Sequence, residues 1–589
     1  MGAIPRAFKE NAIAAQFVGE RIISETRQPR RDKMSISLIK QLSQAALLFS
    51  FIVTIPGTAI TQVKSLDRRF DPVVFDAGEA PPLSDSLIIA ELTAFRYDAA
   101  SEQWIAIPFQ IDELDDRGRF FREAKGYTDF NDEVVFMPGD AGDRAPETNW
   151  LNDDGAKSNS RIEVEMEDPL KPGNKAWIYL FRKISNPPTP PANYITYQEP
   201  AAGTGADAVE APGYVQGHAV NGWPDSTVIK RSDGSQSPDL VDRQKTRLKG
   251  IANLGFPIPY EANEQDALVF KSVQYGGGMV RGYRELEIDL TLGGPPLTTA
   301  SFVTQYFPYS TTLAAKDAEI PPDLASLVGV QLIRQSVDLS PAAAGMSFYN
   351  AFNLSGVPID GQPDSPDTTV VDDEFNWLMA SGTPGTLLIL VTVPSLGSTR
   401  NLYYHDDANG GTADGTTDTG DNASYGDFGV QINGSDIAGK FSLDLTTYHL
   451  DPSSAPAALG EEFKALHTNR LQVTAREQNY VPTRVSEGGV APRQFQLHEA
   501  FPNPFSTRQQ NVRIRFELGR ELQNQVQLTI YNLLGQEMAR FADLQVQSTT
   551  HEIVWDGRDL QGQTLPAGIY FYKLTAGNQQ AVKKLVLTP

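Results

Sequence analysis

Asp112, Asp115, Asp116 and Gly118 fall together in "QIDELDDRGRFF", and Asp129, Asn131 and Asp132 in "TDFNDEVVFM". The longest acidic stretch, "HDDANGGTADGTTDTGDNASYGDFG", carries Asp406, Asp407, Asp414, Asp418, Asp421 and Asp427 among glycines. Carboxylates and amides on glycine-bearing loops are the donors calcium takes, about six to eight oxygens per ion. These residues are therefore candidate ligands for Ca2+, although none of the three stretches has EF-hand spacing. Asp, Asn and Gly are also what ordinary turns are made of. Paired acids suit glycoside cleavage too, which needs two carboxyls about 5–9.5 Å apart across a sugar. The aromatics Trp104, Trp150, Trp177, Trp223, Trp377, Tyr403 and Tyr404 are available for stacking or for a core.

Other chemistry finds no local signature. HExxH, GxSxG, GxxxxGK[ST] and a GxGxxG after a strand are all missing from the sequence. Of the six histidines, His405 alone stands beside a carboxylate cluster, where a surface loop is the simpler reading. The absence of cysteine excludes thiolate nucleophiles, Cys-based metal sites and disulfides. A formal net charge of −23 without a basic stripe argues against nucleic acid as a partner.

The elements that must position these residues read as strands. "RELEIDLTL" alternates Leu286, Ile288, Leu290 and Leu292 with polar neighbours, and "RIEVEMED" does so through Ile162, Val164 and Met166, as half-buried strands do. "AWIYLF" (176–181) and "TLLILVTV" (386–393) are short continuous apolar runs, suited to strands buried on both faces. "PAALGEEFKALH" (456–467) is the clearest helical pattern. The expected fold is mainly β, a set of β-sandwich-like units. The divisions are a β domain at 63–198, a linker or long loop at 199–213, a larger β domain at 214–480, a linker at 481–494 and a terminal sandwich at 495–589. At 589 residues the chain has room for several domains.

Residues 34–62, "MSISLIKQLSQAALLFSFIVTIPGTAITQ", have the layout of a secretory signal peptide. Lys40 supplies the positive region, Ala45 to Ile55 the apolar core, and Gly57-Thr58-Ala59 the cleavage site. Residues 1–33 read as an over-long start, with Met34 the initiator.

The tail carries a more specific pattern. "FPNPF" is followed by "VRIRFEL", "LTIYNLLGQE", "WDGRDLQGQTLPAGIYFYKL" and a basic-apolar ending. This order closely resembles the C-terminal sorting domain of type IX secretion substrates, and also resembles the immunoglobulin-like domain related to the flagellar hook-capping protein. Pro502, Asn503, Pro504 and Phe505 match the family's opening motif. Gly568, Tyr570, Phe571 and Lys573 match its last hairpin, and Lys583 to Leu587 its end. The resemblance implies an Ig-like terminal sandwich, the type IX secretion machinery as a partner, and export across the outer membrane of a Bacteroidetes-like bacterium to the cell surface or the medium. For the body, the expectation is a non-catalytic binding or adhesion role toward an extracellular glycan or surface ligand. A carbohydrate-active hydrolase or lyase on a β scaffold is the alternative, and an envelope structural component the third reading.

Overall fold

The structure is a computed structural model. It describes residues 62–588 apart from 85, 116, 122–123, 254, 292–294, 321, 372–374, 394–395, 397–398, 411–415, 436, 482–494, 507–510, 519–525, 542–549 and 578. The expected signal peptide, save for Gln62, and the 481–494 linker, save for Val481, lie outside the described residues. The chain divides into two compact units, residues up to Val481 and residues from Pro482. The fold is mainly β, and among the described residues the sheets of both units are antiparallel apart from one short parallel pair, Phe505–Ser506 on Gln579–Thr588.

The first unit opens with a sandwich. A five-stranded sheet runs in the order Gln472–Gln478, Arg161–Glu167, Lys175–Arg182, Leu92–Asp98, Gln103–Ala106. Its inner face, Ile162, Val164, Met166, Ile178 and Leu180, packs on Val73, Phe75, Val134 and Phe136 of a three-stranded sheet. The outer face, with Phe95, Trp177, Tyr179 and Phe181, is buried too, in a second core that includes Trp150. "AWIYLF" is accordingly buried throughout, since alternate residues feed two cores. The strand Arg161–Glu167 departs from the half-buried expectation, because Arg161 and Glu163 are buried as well. The Arg161 guanidinium lies 4.2 Å from the Trp150 ring and 4.9 Å from that of Tyr179, so the charge sits against aromatic faces rather than in water. The strand Gln472–Gln478, from the far end of the body, completes this sheet by pairing with Arg161–Glu167.

A second, larger sandwich follows. Its nine-stranded sheet includes Gly385–Val391, buried on both faces as its apolar run demands. One face holds Trp377, Leu388 and Leu390 under the helix Pro456–Thr468, close to its expected bounds. The other packs Leu387, Ile389 and Val391 on a five-stranded sheet ordered Pro257–Asn263, Val241–Asn253, Val330–Leu339, Ser424–Asn433, Thr399–Asp407. A four-stranded sheet carries Ala208–Glu210, a strand within the stretch 199–213.

The second unit is a two-sheet sandwich. Phe495–Leu497, Val512–Leu518 and Thr550–Trp555 form one layer. The other runs Phe505–Ser506, Gln579–Thr588, Gly568–Ala576, Val526–Asn532, Glu537–Phe541. Val512, Ile514, Phe516 and Leu518 all point into its core, the alternation read from the sequence.

Candidate functional site

The five-stranded sheet of the larger sandwich has one apolar face and one charged face. Leu402, Tyr404, Phe428, Val430 and Ile432 point to the core. The strand period of two puts the intervening residues on the opposite face. There the register sets Arg243 opposite Asp338, Lys245 opposite Ser336 and Arg247 opposite Arg334. It sets Ser336 opposite Gly429 on the next strand, and His405 opposite Asp427 on the one beyond. Since Val337 pairs with Phe428, Asp338 and Asp427 come next in register, two carboxylates side by side.

This face would ordinarily be solvated. Instead Lys245, Arg247, Arg334, Asp338 and Asp427 are all fully buried, because the end of the Gly- and Asp-rich stretch after Asp407 lies over them. Thr416 accepts a hydrogen bond from Arg334 Nη2 at 2.9 Å, and Thr419 Oγ1 accepts one from Arg247 Nη2 at 2.6 Å. Arg334 also lies 4.2 Å from the Tyr403 ring. Glu264 accepts hydrogen bonds from Arg247 and from the Thr419 hydroxyl, which closes that end of the network. Gly420 has a left-handed φ of 84°, and a Cβ there would stand 1.8 Å from Asp242 Oδ2; only glycine lets the loop approach so closely.

At the other end the charges do not balance. Lys245 Nζ lies 2.5 Å from Asp418 Oδ1, 2.6 Å from Asp338 Oδ2 and 3.8 Å from Asp427 Oδ2. Burial would lower the Lys245 pKa, but the charges of Asp427, Asp338 and Asp418 outweigh it and hold the ammonium above its ordinary value. Burial, then the Asp427 charge, pushes the Asp338 carboxyl well up. Asp242, Asp338 and Asp421 bring carboxylate oxygens within 4.8 Å of one another. The Asp421 amide donates to Asp242 Oδ2 at 3.2 Å.

The acids singled out in the sequence therefore separate. Asp418, Asp421 and Asp427 converge on this face, joined by Asp242 and Asp338. Asp406 accepts from the amides of Asp360 and Gly361, at 2.9 and 3.1 Å, and Asp407 from that of Asn409 at 2.9 Å. Asp414 and Asp116 lie outside the described residues. Asp112 is 2.6 Å from Arg281, which also reaches Glu133. Asp115 takes a bidentate pair from Arg119, which with backbone donors brings its pKa to about 2. Asp129 pairs with Lys125 at 2.6 Å, and Asp132 accepts from the amides of Leu114 and Asp129. Asn131 donates to the Leu114 carbonyl at 2.5 Å. His405 belongs to the strand Thr399–Asp407, not to a surface loop.

Sequence reasoning also passes over a polar centre at Asp207. Asp207 is 2.6 Å from His218 Nδ1, 2.8 Å from Arg284 Nε and 2.7 Å from Tyr197 OH, while His218 Nε2 meets Tyr306 OH at 3.0 Å. The acid–imidazole–hydroxyl order resembles a proton relay. His218 and Tyr306 are wholly enclosed, however, so the arrangement ties strands together.

In the second unit the opening motif is anchored on the last strand. Asn503 Oδ1 accepts from Val586 N at 2.8 Å, and Asn503 Nδ2 donates to the Lys584 carbonyl at 3.0 Å. Phe505 is buried and pairs in parallel with Leu587. Gly568 opens the hairpin strand, Tyr570 donates to the Pro566 carbonyl at 2.7 Å, and Lys573 pairs across to Val582 and Thr529. Phe571 faces Tyr531 and Lys584 in the same ladder.

No curated protein matches the chain. Among solved structures, the chain is similar to an alpha-mannosidase from Enterococcus faecalis, with 11% identity, 81% of this chain and 52% of that one covered, and a TM-score of 0.32. It is similar to PorZ, a surface component of the type IX secretion system of Porphyromonas gingivalis, at 11% identity, 64% and 50% coverage and a TM-score of 0.12. It is also similar to dimeric latent PorU of Porphyromonas gingivalis, at 12% identity, 70% and 35% coverage and a TM-score of 0.14. The chain thus spans about half the length of the mannosidase, and TM-scores of this size establish no common fold. Residues 499–588 match the family model of the secretion system C-terminal sorting domain, which contains every residue of the tail motif named above. The tail is therefore a type IX sorting domain, and the protein that carries it is a secreted one, taken across the outer membrane to the cell surface or the extracellular space.

Proposed function

We propose that the exported body is a binding or adhesion module for an extracellular glycan or surface ligand, and performs no chemistry on it. The observation that carries the reading is an exposed apolar set on the first sandwich. Ile88 and Tyr127 are 51% and 46% exposed and stand opposite each other across a β-bridge, and Phe130, three residues on, is 67% exposed. Apolar groups left in water at one place mark surfaces that meet something else. The placement of the other aromatics supports the same reading. Trp177 and Trp377 are fully buried, Trp150, Trp223, Tyr403 and Tyr404 nearly so, and Trp104 packs on Tyr97, Tyr179 and Phe181. These side chains serve cores rather than a sugar-stacking groove.

The test is retention of the exported chain on immobilised bacterial and host polysaccharides, with the eluate assayed for new reducing ends and unsaturated products. Retention without product, weakened in Tyr127→Ala and Phe130→Ala, is expected. Product formation by the wild-type chain would replace the proposal with the hydrolase or lyase reading.

A further inference from the structure

The charged face of the larger sandwich holds more negative charge than its own cations offset. Among the described residues, six carboxylates, Asp242, Glu264, Asp338, Asp418, Asp421 and Asp427, share this face with four cations, Arg243, Lys245, Arg247 and Arg334, and with His405 opposite Asp427. Carboxylates directly opposed on neighbouring strands repel, and removing them from water without a partner is costly. A fold that keeps Asp338 and Asp427 adjacent and buried needs a compensating charge.

A second observation points to where that charge goes. Among the described residues, neither oxygen of Asp427 accepts a hydrogen bond, nor does Oδ1 of Asp338 or Oδ2 of Asp418. Asp338 and Asp427 are wholly buried, so water does not satisfy them from outside. Lys245 lies against Oδ2 of Asp338, which leaves Oδ1 of that carboxylate for another partner. Asp242 likewise spends Oδ2 on the Asp421 amide and keeps Oδ1. The exposed Asp421 sits at the mouth of the group, which gives an ion a route in from solvent.

From this geometry we propose a divalent-cation site, of the calcium type, formed by Asp242, Asp338 and Asp421, with Asp427 adding its charge from the neighbouring strand. The three donors belong to two strands and the covering loop. An ion there cross-links Val241–Asn253 and Val330–Leu339 to the loop segment that follows Thr416. Carboxylate oxygens alone, without sulfur or imidazole in the trio, suit a hard cation. Asp242 and Asp338 stand far from Asp421 in sequence, so no local loop motif announces the site. Asp406 and Asp407, though in the same acidic stretch, take no part.

The experiment is calorimetric titration of the exported chain with CaCl2 after chelator treatment, together with thermal melts in CaCl2 and in chelator. One site is expected, with a Kd on the order of 10⁻⁴–10⁻³ M as in extracellular modules, and a melting midpoint that rises with CaCl2 concentration. Asp421→Asn should weaken binding roughly tenfold or more, as expected for a lost ligand, and Asp406→Asn should leave it unchanged. Asp338→Asn should abolish binding. Should that variant not fold, the exposed Asp421 still decides the matter. A folded wild-type chain that shows no heat and no shift in millimolar CaCl2 would overturn the site, in favour of a protonated Asp338 sharing its proton with Asp427. Undiminished binding in Asp421→Asn would overturn it by placing the ion elsewhere.

Discussion

Two buried polar centres in one body respond to acid in opposite ways. With no cation bound, Asp338 and Asp242 have raised pKa values, from burial first and then from neighbouring carboxylates. A carboxyl that binds its proton more readily folded than unfolded favours the fold at low pH, and that contribution is lost as pH rises through the folded pKa. His449 behaves the other way. It is enclosed between the sheets with its ring 4.1 Å from that of Tyr214, and burial lowers its pKa to about 3. Its contribution is complete above its unfolded value of 6.5 and is lost as pH falls toward 3. His449→Phe keeps the stacked ring and removes the titration, so its melting midpoint should fall less than the wild type's between pH 6.5 and 3. A melting series across that range, with equal slopes for both proteins, would refute this. At Asp207 the outcome turns on an orphaned charge. Asp207→Asn leaves Arg284 buried without its carboxylate and should cost about 3–5 kcal/mol in urea unfolding. The sequence shows these residues but not their company. Asp418, Asp421 and Asp427 are legible as acids in a glycine-rich stretch. Asp242 and Asp338 are not, because "VDRQKTRLKG" presents charge at Asp242, Arg243, Lys245, Arg247 and Lys249 and looks solvated on every turn. Only the loop laid over it makes that face an interior.

At the level of elements, apolar pattern was the readable quantity. The run at 176–181 and residues 386–391 of the run at 386–393 are buried on both faces, and Val512 to Leu518 alternates into its core. Arg161 shows the limit, since a charge that lies on tryptophan and tyrosine rings follows no hydrophobic period. The helix Pro456–Thr468 supplies a test in which two effects oppose. Gly460 lies on Trp377, and a Cβ there would stand 2.5 Å from the indole. Alanine is the better helix former by about 1 kcal/mol, yet overpacking costs about 1–3 kcal/mol. Because the Trp377 indole also donates to Glu461 at 2.8 Å, the ring has little freedom to yield. Gly460→Ala should therefore be destabilising by denaturant unfolding, and a gain in stability would show that the helix shifts instead.

For the whole molecule, address and cargo are separate units. Removing residues 495–589 should leave a folded body, with an unchanged thermal transition, retained in the periplasm. Appearance of the shortened chain at the surface or in the medium would contradict the sorting role. The tail was legible because its motifs come in a fixed order within about 90 residues. The body's ligand was not, since binding surfaces are assembled from exposed side chains on separate loops. One feature of the body bears on life outside the cell. Its final strand, Gln472–Gln478, is an edge strand that pairs with Arg161–Glu167, and Arg161 Nε adds a 2.7 Å bond to Gln478. When a chain is tethered through its tail, tension enters the body at that strand. The pull meets the Tyr480 ring packed on Trp150, then a seven-residue ladder and a side-chain clasp, all within the first sandwich. The body thus takes mechanical load on the sheet that also holds Leu92–Asp98 and Gln103–Ala106, strands from the start of its first sandwich.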